Sequence, residues 1–257
     1  MSDGTPLRFR AMSTLTRGLK ATGLREPVLQ ARLRARRAIR QGFERAGSQR
    51  LSAPALHGMD RKLDAIIDRT GGYYVEAGGN DGYAQSNTYF LERFRGWTGM
   101  LVEPMSALAI EARRNRPGAR VVQCALVAPE RSGEVIEMEF ADLMSAVRGT
   151  QSEDWIQFGN QLGWRDPHVE QVPARTLSEL LDEAGVSDVT LLSLDIEGYE
   201  LEALQGLDLT RHRPRWIVVE MHDLERGRRE IGGLLADHYE EHCLVSPLDV
   251  LFRCTSD

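Results

Sequence analysis

Two apolar runs of this chain end in side chains that can accept or donate a proton. Residues 188–194 read as a buried strand, and residues 216–219 read as another. In an open α/β sheet the carboxyl ends of the strands line the ligand crevice, so the residues that follow these two runs are expected to meet there. The side chains in question are Asp195 and Glu197 after the first run, and Glu220, His222 and Asp223 after the second.

Such a group of side chains suits two kinds of chemistry. A hydroxyl group becomes a good nucleophile only when a base removes its proton or a metal polarises it. We therefore predict Asp195, Glu197 and His222 as catalytic residues, with His222 the first candidate for the general base. Carboxylate oxygens also bind hard cations, so Asp195, Glu197 and Glu220 are the predicted ligands of Mg²⁺ or another divalent cation. The structural alternatives are a hydrogen-bonded loop histidine at His222 and a helix cap at Glu197.

A glycine-rich turn indicates which cofactor stands beside these carboxylates. The apolar run 73–77 breaks into Gly78 and Gly82, with Glu76 just before the turn. The pattern is Glu-x-Gly-x-x-x-Gly rather than the Gly-x-Gly-x-x-Gly that receives a pyrophosphate, and the carboxylate favours a cationic ligand. S-adenosylmethionine fits, because it carries an ammonium and a sulfonium and has no phosphate. The predicted cofactor-binding residues are Glu76, Gly78, Asn80, Asp81 and Gly82, together with Asp195; Asn80 and Asp81 either fix the turn or bind the methionine moiety.

A second strand end supports this cofactor. Residues 98–102 read as a strand that ends at Glu103, which follows Gly82 by 21 positions. A strand-end carboxylate at that distance can accept hydrogen bonds from both ribose hydroxyls. The alternative is that Glu103 only caps the helix that begins near Pro104.

The elements around these motifs predict an α/β fold. Strands and helices alternate as in the class I methyltransferase Rossmann-like fold, a doubly wound, mostly parallel sheet with a terminal antiparallel hairpin. We predict a third strand at 120–124 and the hairpin at 243–246 and 250–254. The predicted methyltransferase domain covers 59–257 and contains an insertion at 129–173, where the regular alternation fails. We expect this insertion to shape the acceptor pocket, with these residues as candidates: Met144, Ser145, Trp155 and Trp164.

The N-terminal arm, residues 1–58, differs from the rest of the chain in charge. Residues 1–50 hold 12 Lys and Arg against three acidic residues, whereas the rest of the chain holds 20 against 35. Residues 26–46 read as a basic amphipathic helix. The basic arm has three possible partners: the acidic body or a second copy of the chain, an anionic membrane surface, and nucleic acid. We do not expect nucleic acid, because aromatic side chains do not alternate with the arginines to form a platform on which bases could stack. No secretory signal or membrane-spanning run is evident, so we expect a cytoplasmic protein, with the inner membrane surface as a second location.

The motifs resemble those of the FkbM-type methyltransferases. They are Val-Glu-Ala-Gly-Gly-Asn-Asp-Gly (75–82), Gln-Ser-Asn-Thr (85–88) and Leu-Ser-Leu-Asp-Ile-Glu-Gly-Tyr-Glu (192–200). The likeness spans about 73–220, and Gly79 stands where many relatives have alanine. The resemblance implies an S-adenosylmethionine-dependent O-methyltransferase that acts on a hydroxyl of a sugar, a glycolipid or a polyketide-like metabolite.

Two other functions remain open from the sequence. A nicotinamide-dependent oxidoreductase would share the glycine turn and Glu103, but it needs the Gly-x-Gly-x-x-Gly motif and a hydride-transfer pair such as Tyr and Lys. Neither is present in the expected order. A non-catalytic scaffold that binds a cofactor or is recruited to a membrane would use the basic arm as its working part.

Overall fold

The computed structural model describes residues 25–140, 146–147 and 168–255, so the four acceptor-pocket candidates of the insertion lie outside the described residues. The chain forms two compact units. One unit comprises residues 52–138 and 171–257 and contains the large sheet; the other comprises residues 1–51 and 139–170. The domain boundaries expected from the sequence stay predictions.

The strands form where apolar runs are buried. In chain order they are β1 (Tyr73–Ala77), β2 (Thr98–Val102), β3 (Arg120–Val122), β4 (Ala125–Leu126), β5 (Val135–Phe140), β6 (Ala146–Val147), β7 (His168–Arg175), β8 (Leu191–Leu194), β9 (Trp216–Glu220), β10 (Tyr239–Leu244) and β11 (Asp249–Cys254). Seven of them make one sheet in the order β10-β11-β9-β8-β1-β2-β3. The β11 strand runs antiparallel to both β9 and β10, and the other neighbours are parallel. This order confirms the predicted class I methyltransferase architecture.

Helices cover both faces of the sheet. In the unit with the large sheet, the helices are α2 (Met59–Ile67), α3 (Tyr89–Arg95), α4 (Ser106–Asn115), α5 (Leu177–Ala184), α6 (Glu200–Gln205) and α7 (Leu224–Leu235). The α1 helix (Arg25–Arg45) belongs to the other unit. Tyr74 and Leu191 point to the face covered by α2 and α3, while Val75 and Leu192 point to the face covered by α5, α6 and α7. The α5 helix begins with a capping box, in which Thr176 and Glu179 exchange side-chain and backbone hydrogen bonds.

Three predicted strands differ from the structure by two residues or more. The strand predicted at 188–194 begins at Leu191. The third strand ends at Val122 instead of 124, and Ala125 opens a strand that pairs with β7 in a separate small sheet. The closing hairpin begins at Tyr239, four residues before the predicted start, with a register shift between Glu241 and Cys243. Residues 240–242 are all polar and exposed, as is usual in an edge strand, so the sequence does not show the alternation of apolar and polar residues that marks a strand.

The described part of the basic arm, residues 25–58, contains the α1 helix, whose bounds lie within one residue of those predicted for the basic helix. No helix among residues 25–140, 146–147 and 168–255 is both long and apolar enough to span a bilayer. The cytoplasmic location stays a prediction.

Candidate active site

The glycine turn after β1 packs directly against the end of β8. Gly78 has a φ of +80°, and a Cβ at this position would lie 1.7 Å from the carbonyl oxygen of Asp195. The backbone N–H groups of Gly78 and Gly79 both donate to the carbonyl oxygen of Val102, at 3.1 Å. Only glycine combines this conformation with this approach, so residue 78 locks the ends of β1, β2 and β8 together.

The next residues of the turn are held by their own side chains. The Asp81 carboxylate accepts hydrogen bonds from the backbone N–H groups of Tyr83 (2.9 Å) and Ala84 (2.6 Å). Gly82 has a φ of +75°, and a Cβ there would lie 3.0 Å from the Cα of Ala112 on α4. The structure therefore shows Asp81 fixing the turn, which is one of its two expected roles. A contact between Asp81 and the methionine moiety stays a prediction.

Glu103 ties the end of β2 to this turn. Its carboxylate is buried and accepts hydrogen bonds from the backbone N–H groups of Asn80 (2.8 Å) and Met105 (2.9 Å). Asn80 itself has a φ of +46°, which a non-glycine residue adopts only when its surroundings hold it there. The predicted ribose ligand thus lies beside the glycine turn and also begins the loop into α4. Its contact with ribose stays a prediction.

The carboxylate of Glu76 is bound by residues of the chain itself. Its buried carboxylate accepts hydrogen bonds from the Ser86 hydroxyl (2.9 Å), the Asn87 backbone N–H (2.6 Å) and the Thr88 hydroxyl (2.6 Å). These partners all belong to the segment that leads into α3. The structure thus shows Glu76 organising the wall of the turn, and direct contact with the cofactor stays a prediction.

Arg116, which the sequence did not indicate, neutralises this buried carboxylate. Its guanidinium is almost fully buried at the end of α4 and lies 3.7 Å from the Glu76 carboxylate and 2.7 Å from that of Glu92. It also donates to the Gly82 carbonyl oxygen, at 3.2 Å. In the sequence Arg116 follows Arg113 and Arg114, and such a run of arginines is typical of an exposed helix end. The sequence pattern therefore gives no sign that Arg116 is buried.

The predicted acidic cluster forms at the ends of β8 and β9. The two strands are parallel neighbours, and the Asp195 side chain after β8 forms a hydrogen bond with the Glu220 side chain at the end of β9. The His222 Nε2 lies 3.6 Å from a carboxylate oxygen of Glu197 and 3.7 Å from one of Glu220. The structure thus brings together four of the five side chains that the sequence placed at this edge. The fifth, Asp223, caps α7 and accepts a hydrogen bond from the backbone N–H of Arg226 (3.0 Å).

The loop that carries Glu197 is supported by Glu200. This buried carboxylate at the start of α6 accepts hydrogen bonds from the backbone N–H groups of Ile196 (3.0 Å) and Gly198 (3.1 Å). Glu197 lies between them with a φ of +58°. Glu200, rather than Glu197, therefore satisfies the backbone of the turn into α6, and the Glu197 carboxylate faces His222.

The cluster has strongly shifted protonation equilibria. Burial, followed by the negative charges of Glu220 and Glu197, raises the pKa of Asp195 well above its usual value. Burial raises the pKa of Glu220 to about 6, although the nearby His222 opposes this shift. The Glu197 carboxylate, with help from Glu220, raises the pKa of His222 to about 9. At neutral pH His222 is therefore an imidazolium, and the raised pKa values of Asp195 and Glu220 mean that this pair takes up a proton more readily than two separate carboxylates.

The protonation state of His222 affects both predicted roles of the cluster, the general base and the metal site. An imidazolium has no lone pair for a proton, so at neutral pH His222 is not in the form that a general base needs. The described residues contain no group of three or more His, Cys, Asp or Glu side chains arranged to hold a metal ion. The predicted divalent-cation site at Asp195, Glu197 and Glu220 therefore finds no support in this part of the chain. The imidazolium of His222 supplies positive charge between Glu197 and Glu220 instead.

One more carboxylate of this edge was not indicated by the sequence. Asp249, the first residue of β11, is paired in register with Glu220 and is buried. Its negative charge contributes to the raised pKa values of both Asp195 and Glu220. The only signal in the sequence was its position before the apolar run 250–252.

Comparisons with known proteins agree with this architecture. The model of the FkbM methyltransferase domain family matches residues 76–243. The chain is 31% identical over 173 residues to the 31-O-demethyl-FK506 methyltransferase FkbM of Streptomyces tacrolimicus, a match that covers 59% of this chain and 64% of that protein. The chain thus spans less than two thirds of the length of this relative.

Similar solved structures include a TehB-like S-adenosylmethionine-dependent methyltransferase from Corynebacterium glutamicum (TM-score 0.42, 13% identity, covering 88% of this chain and 100% of that one). Another is the METTL16 methyltransferase domain (TM-score 0.44, 12% identity, covering 80% of this chain and 69% of that one). The family match covers both halves of the site, from Glu76 in the glycine turn to His222 in the acidic cluster. It confirms the resemblance seen in the motifs and decides against the oxidoreductase alternative. The chain belongs to the FkbM methyltransferase domain family.

Proposed function

We propose that this chain transfers the methyl group of S-adenosylmethionine to a hydroxyl of a sugar, a glycolipid or a polyketide-like metabolite. The observation that carries this proposal is the contact between Gly78 and the Asp195 backbone, which fixes the glycine turn beside the acidic cluster. Family membership supports methyl transfer. The name of the Streptomyces relative, a methyltransferase of 31-O-demethyl-FK506, supports an oxygen acceptor.

The residues at the glycine turn fit S-adenosylmethionine. Gly78 lets the turn pack against the end of β8, and Glu103 offers a buried carboxylate at the β2 end for the ribose hydroxyls.

The Asp195–Glu220 pair is the proposed general base. When bound, S-adenosylmethionine supplies an electrophilic methyl group on a sulfonium, which leaves as a neutral thioether. The acceptor hydroxyl gives its proton to the pair while its oxygen forms the new bond to carbon. The pair suits this task because the raised pKa values of both carboxylates make it a stronger base than two separate carboxylates, and because the pKa of about 6 at Glu220 lies near the working pH.

His222 and Glu197 then have a supporting role. The His222 imidazolium lies within 4 Å of both Glu197 and Glu220, so it offsets the negative charge of the cluster. Without it, three carboxylates would face one another and would all be protonated more readily. We therefore propose His222 as the residue that keeps Glu220 ionised, and Glu197 as the residue that keeps His222 protonated.

The test is a methyl-transfer assay with labelled S-adenosylmethionine and a panel of sugars, glycolipids and macrolides. We expect transfer to oxygen, and we expect Asp195→Asn and Glu220→Gln to lower kcat by at least about 100-fold. Affinity for S-adenosylhomocysteine should stay within about twofold, because the pair acts on the acceptor. Glu240→Gln is the control, since Glu240 is an exposed residue of β10 that pairs with Arg253. Wild-type activity in both variants, or methylation at nitrogen or carbon, would contradict the proposal.

A further inference from the structure

The α1 helix exposes an apolar face. At about 100° per residue, an arc of about 140° contains seven small or apolar residues, each of them exposed, and Arg25 and Arg32 fall within one edge of this arc, next to Phe43. This apolar stripe consists of Val28, Ala31, Ala35, Ala38, Ile39, Gly42 and Phe43. Its large members are well exposed: Val28 by 37%, Ile39 by 56% and Phe43 by 40%. The other side of the helix is the buried one, with Leu29, Arg40 and Glu44.

Arginines border the apolar stripe on both sides. The helix carries seven arginines and two glutamates, a net charge of +5. Arg36 lies along one edge of the stripe, and Arg34 and Arg45 lie along the other; all three are exposed. Arg32 and Arg36 are one turn apart, and burial together with the charge of Arg36 lowers the pKa of Arg32. A helix with this much positive charge favours an anionic partner.

We propose that α1 binds the surface of an anionic phospholipid bilayer, with the apolar stripe in the interfacial region and the bordering arginines at the phosphate level. A bilayer interface offers an apolar layer and an anionic layer at once, and the long arginine stems reach from one to the other. The three large apolar side chains give weak binding by themselves, so attraction by anionic lipids is needed for stable association.

Charge complementarity also exists with a second copy of the chain, because residues 51–257 hold 20 Lys and Arg against 35 Asp and Glu. Carboxylates on such a surface would pair with arginines, but they would leave the apolar stripe in water. Nucleic acid fits less well still, since it offers phosphates and the stripe has one aromatic side chain, Phe43. The bilayer is the partner that uses both features of the helix.

The experiment is co-sedimentation of the full chain with vesicles. We compare vesicles of phosphatidylcholine alone with vesicles that contain about 30% phosphatidylglycerol, and we expect the membrane partition coefficient to rise about fivefold for each arginine that reaches the anionic surface. Raising the salt to about 0.5 M should reverse most of this gain. The double variant Ile39→Glu, Phe43→Glu should bind at least about tenfold more weakly, because it places charge in the apolar layer.

The matched control is Leu234→Glu on α7, since Leu234 is exposed by 39%, about as much as Phe43. It should bind vesicles like the wild type, and circular dichroism should show equal helix content in all variants. Equal binding to neutral and anionic vesicles, or wild-type binding by the double variant, would overturn the proposal. The proposal would also be overturned if the wild type bound no vesicles and formed a dimer without lipid in sedimentation velocity, while the double variant was a monomer. The apolar stripe would then be the interface with a second copy of the chain.

Discussion

Gly78 and Asp195 meet through their backbones, with the carbonyl oxygen of Asp195 occupying the space in which a side chain on Gly78 would begin. Gly78 starts the turn that we assign to the methyl donor, and Asp195 starts the acidic cluster that we assign to the acceptor. Because strands β1 and β8 are adjacent and parallel, this contact fixes the spacing of the two groups. Methyl transfer needs the attacking oxygen, the carbon and the sulfur in line, so this spacing matters for the rate.

Replacing Gly78 by alanine tests this contact. We expect Gly78→Ala to destabilise the fold by at least about 2–4 kcal/mol and to abolish donor binding, because the new Cβ would collide with backbone and the φ is positive. Gly133→Ala is the matched control, since Gly133 has a φ of +84° with nothing within 4 Å of a new Cβ. That control isolates the conformational strain, which is about 1 kcal/mol. Equal urea midpoints for the two variants would show that the contact is unimportant.

The buried Arg116 gives a second prediction. Arg116→Met leaves the carboxylates of Glu76 and Glu92 without their buried cation, so we expect a loss of about 3–5 kcal/mol in the free energy of unfolding. Arg113→Met, on the exposed side of the same helix, should cost less than about 0.5 kcal/mol. The measurement is urea denaturation of both variants. A small loss for Arg116→Met would mean that the segment before α3 is held by other contacts.

The protonation state of His222 can be read by NMR. We expect the imidazole to titrate near pH 9, and Glu197→Gln to bring its pKa down toward the usual value near 6.5. The folded-state pKa is raised, so the stabilising effect of the charged imidazole is complete below about pH 6.5 and is lost as the pH rises through about 9. Glu240→Gln should leave the titration unchanged. A His222 pKa near 6.5 in the wild type would restore it as the candidate base.

Metal dependence gives a fourth prediction. The His222 imidazolium offsets the carboxylate charge at the place where a divalent cation was expected, so turnover should survive complete chelation by EDTA with less than about a twofold change. The assay should use protein that has been dialysed against the chelator. Loss of activity that Mg²⁺ restores would instead assign the carboxylates to a metal.

The parts of the fold that bury apolar runs could be predicted from the sequence. Strands 73–77 and 98–102 have the predicted bounds, since a run of buried residues that breaks at glycine or before a proline marks both ends of a strand. Residues 120–124 read as one strand, but the structure divides them, because Gln123 turns away and donates to the Pro104 carbonyl oxygen. Periodicity carries no signal for such a side-chain contact.

The positions of the candidate site residues could likewise be predicted from the sequence, but the contacts that support them could not. Asp195, Glu197, Glu220 and His222 each follow a buried apolar run, and the rule that parallel strands end at one edge of the sheet is enough to predict that they meet. The roles of Arg116 and Glu200 depend on which buried atoms lack a partner, and that information exists only in three dimensions. The charge state of His222 likewise depends on two carboxylates from different strands.

The central claim is that the glycine turn binds a positively charged methyl donor beside the acidic cluster. Calorimetric titration of the purified chain with S-adenosylmethionine and S-adenosylhomocysteine tests it most directly. We predict binding of one molecule per chain, and we predict that Glu103→Gln weakens it about tenfold, because the amide accepts one ribose hydroxyl fewer while keeping an oxygen for the Asn80 N–H. Absence of binding for both compounds would contradict the account.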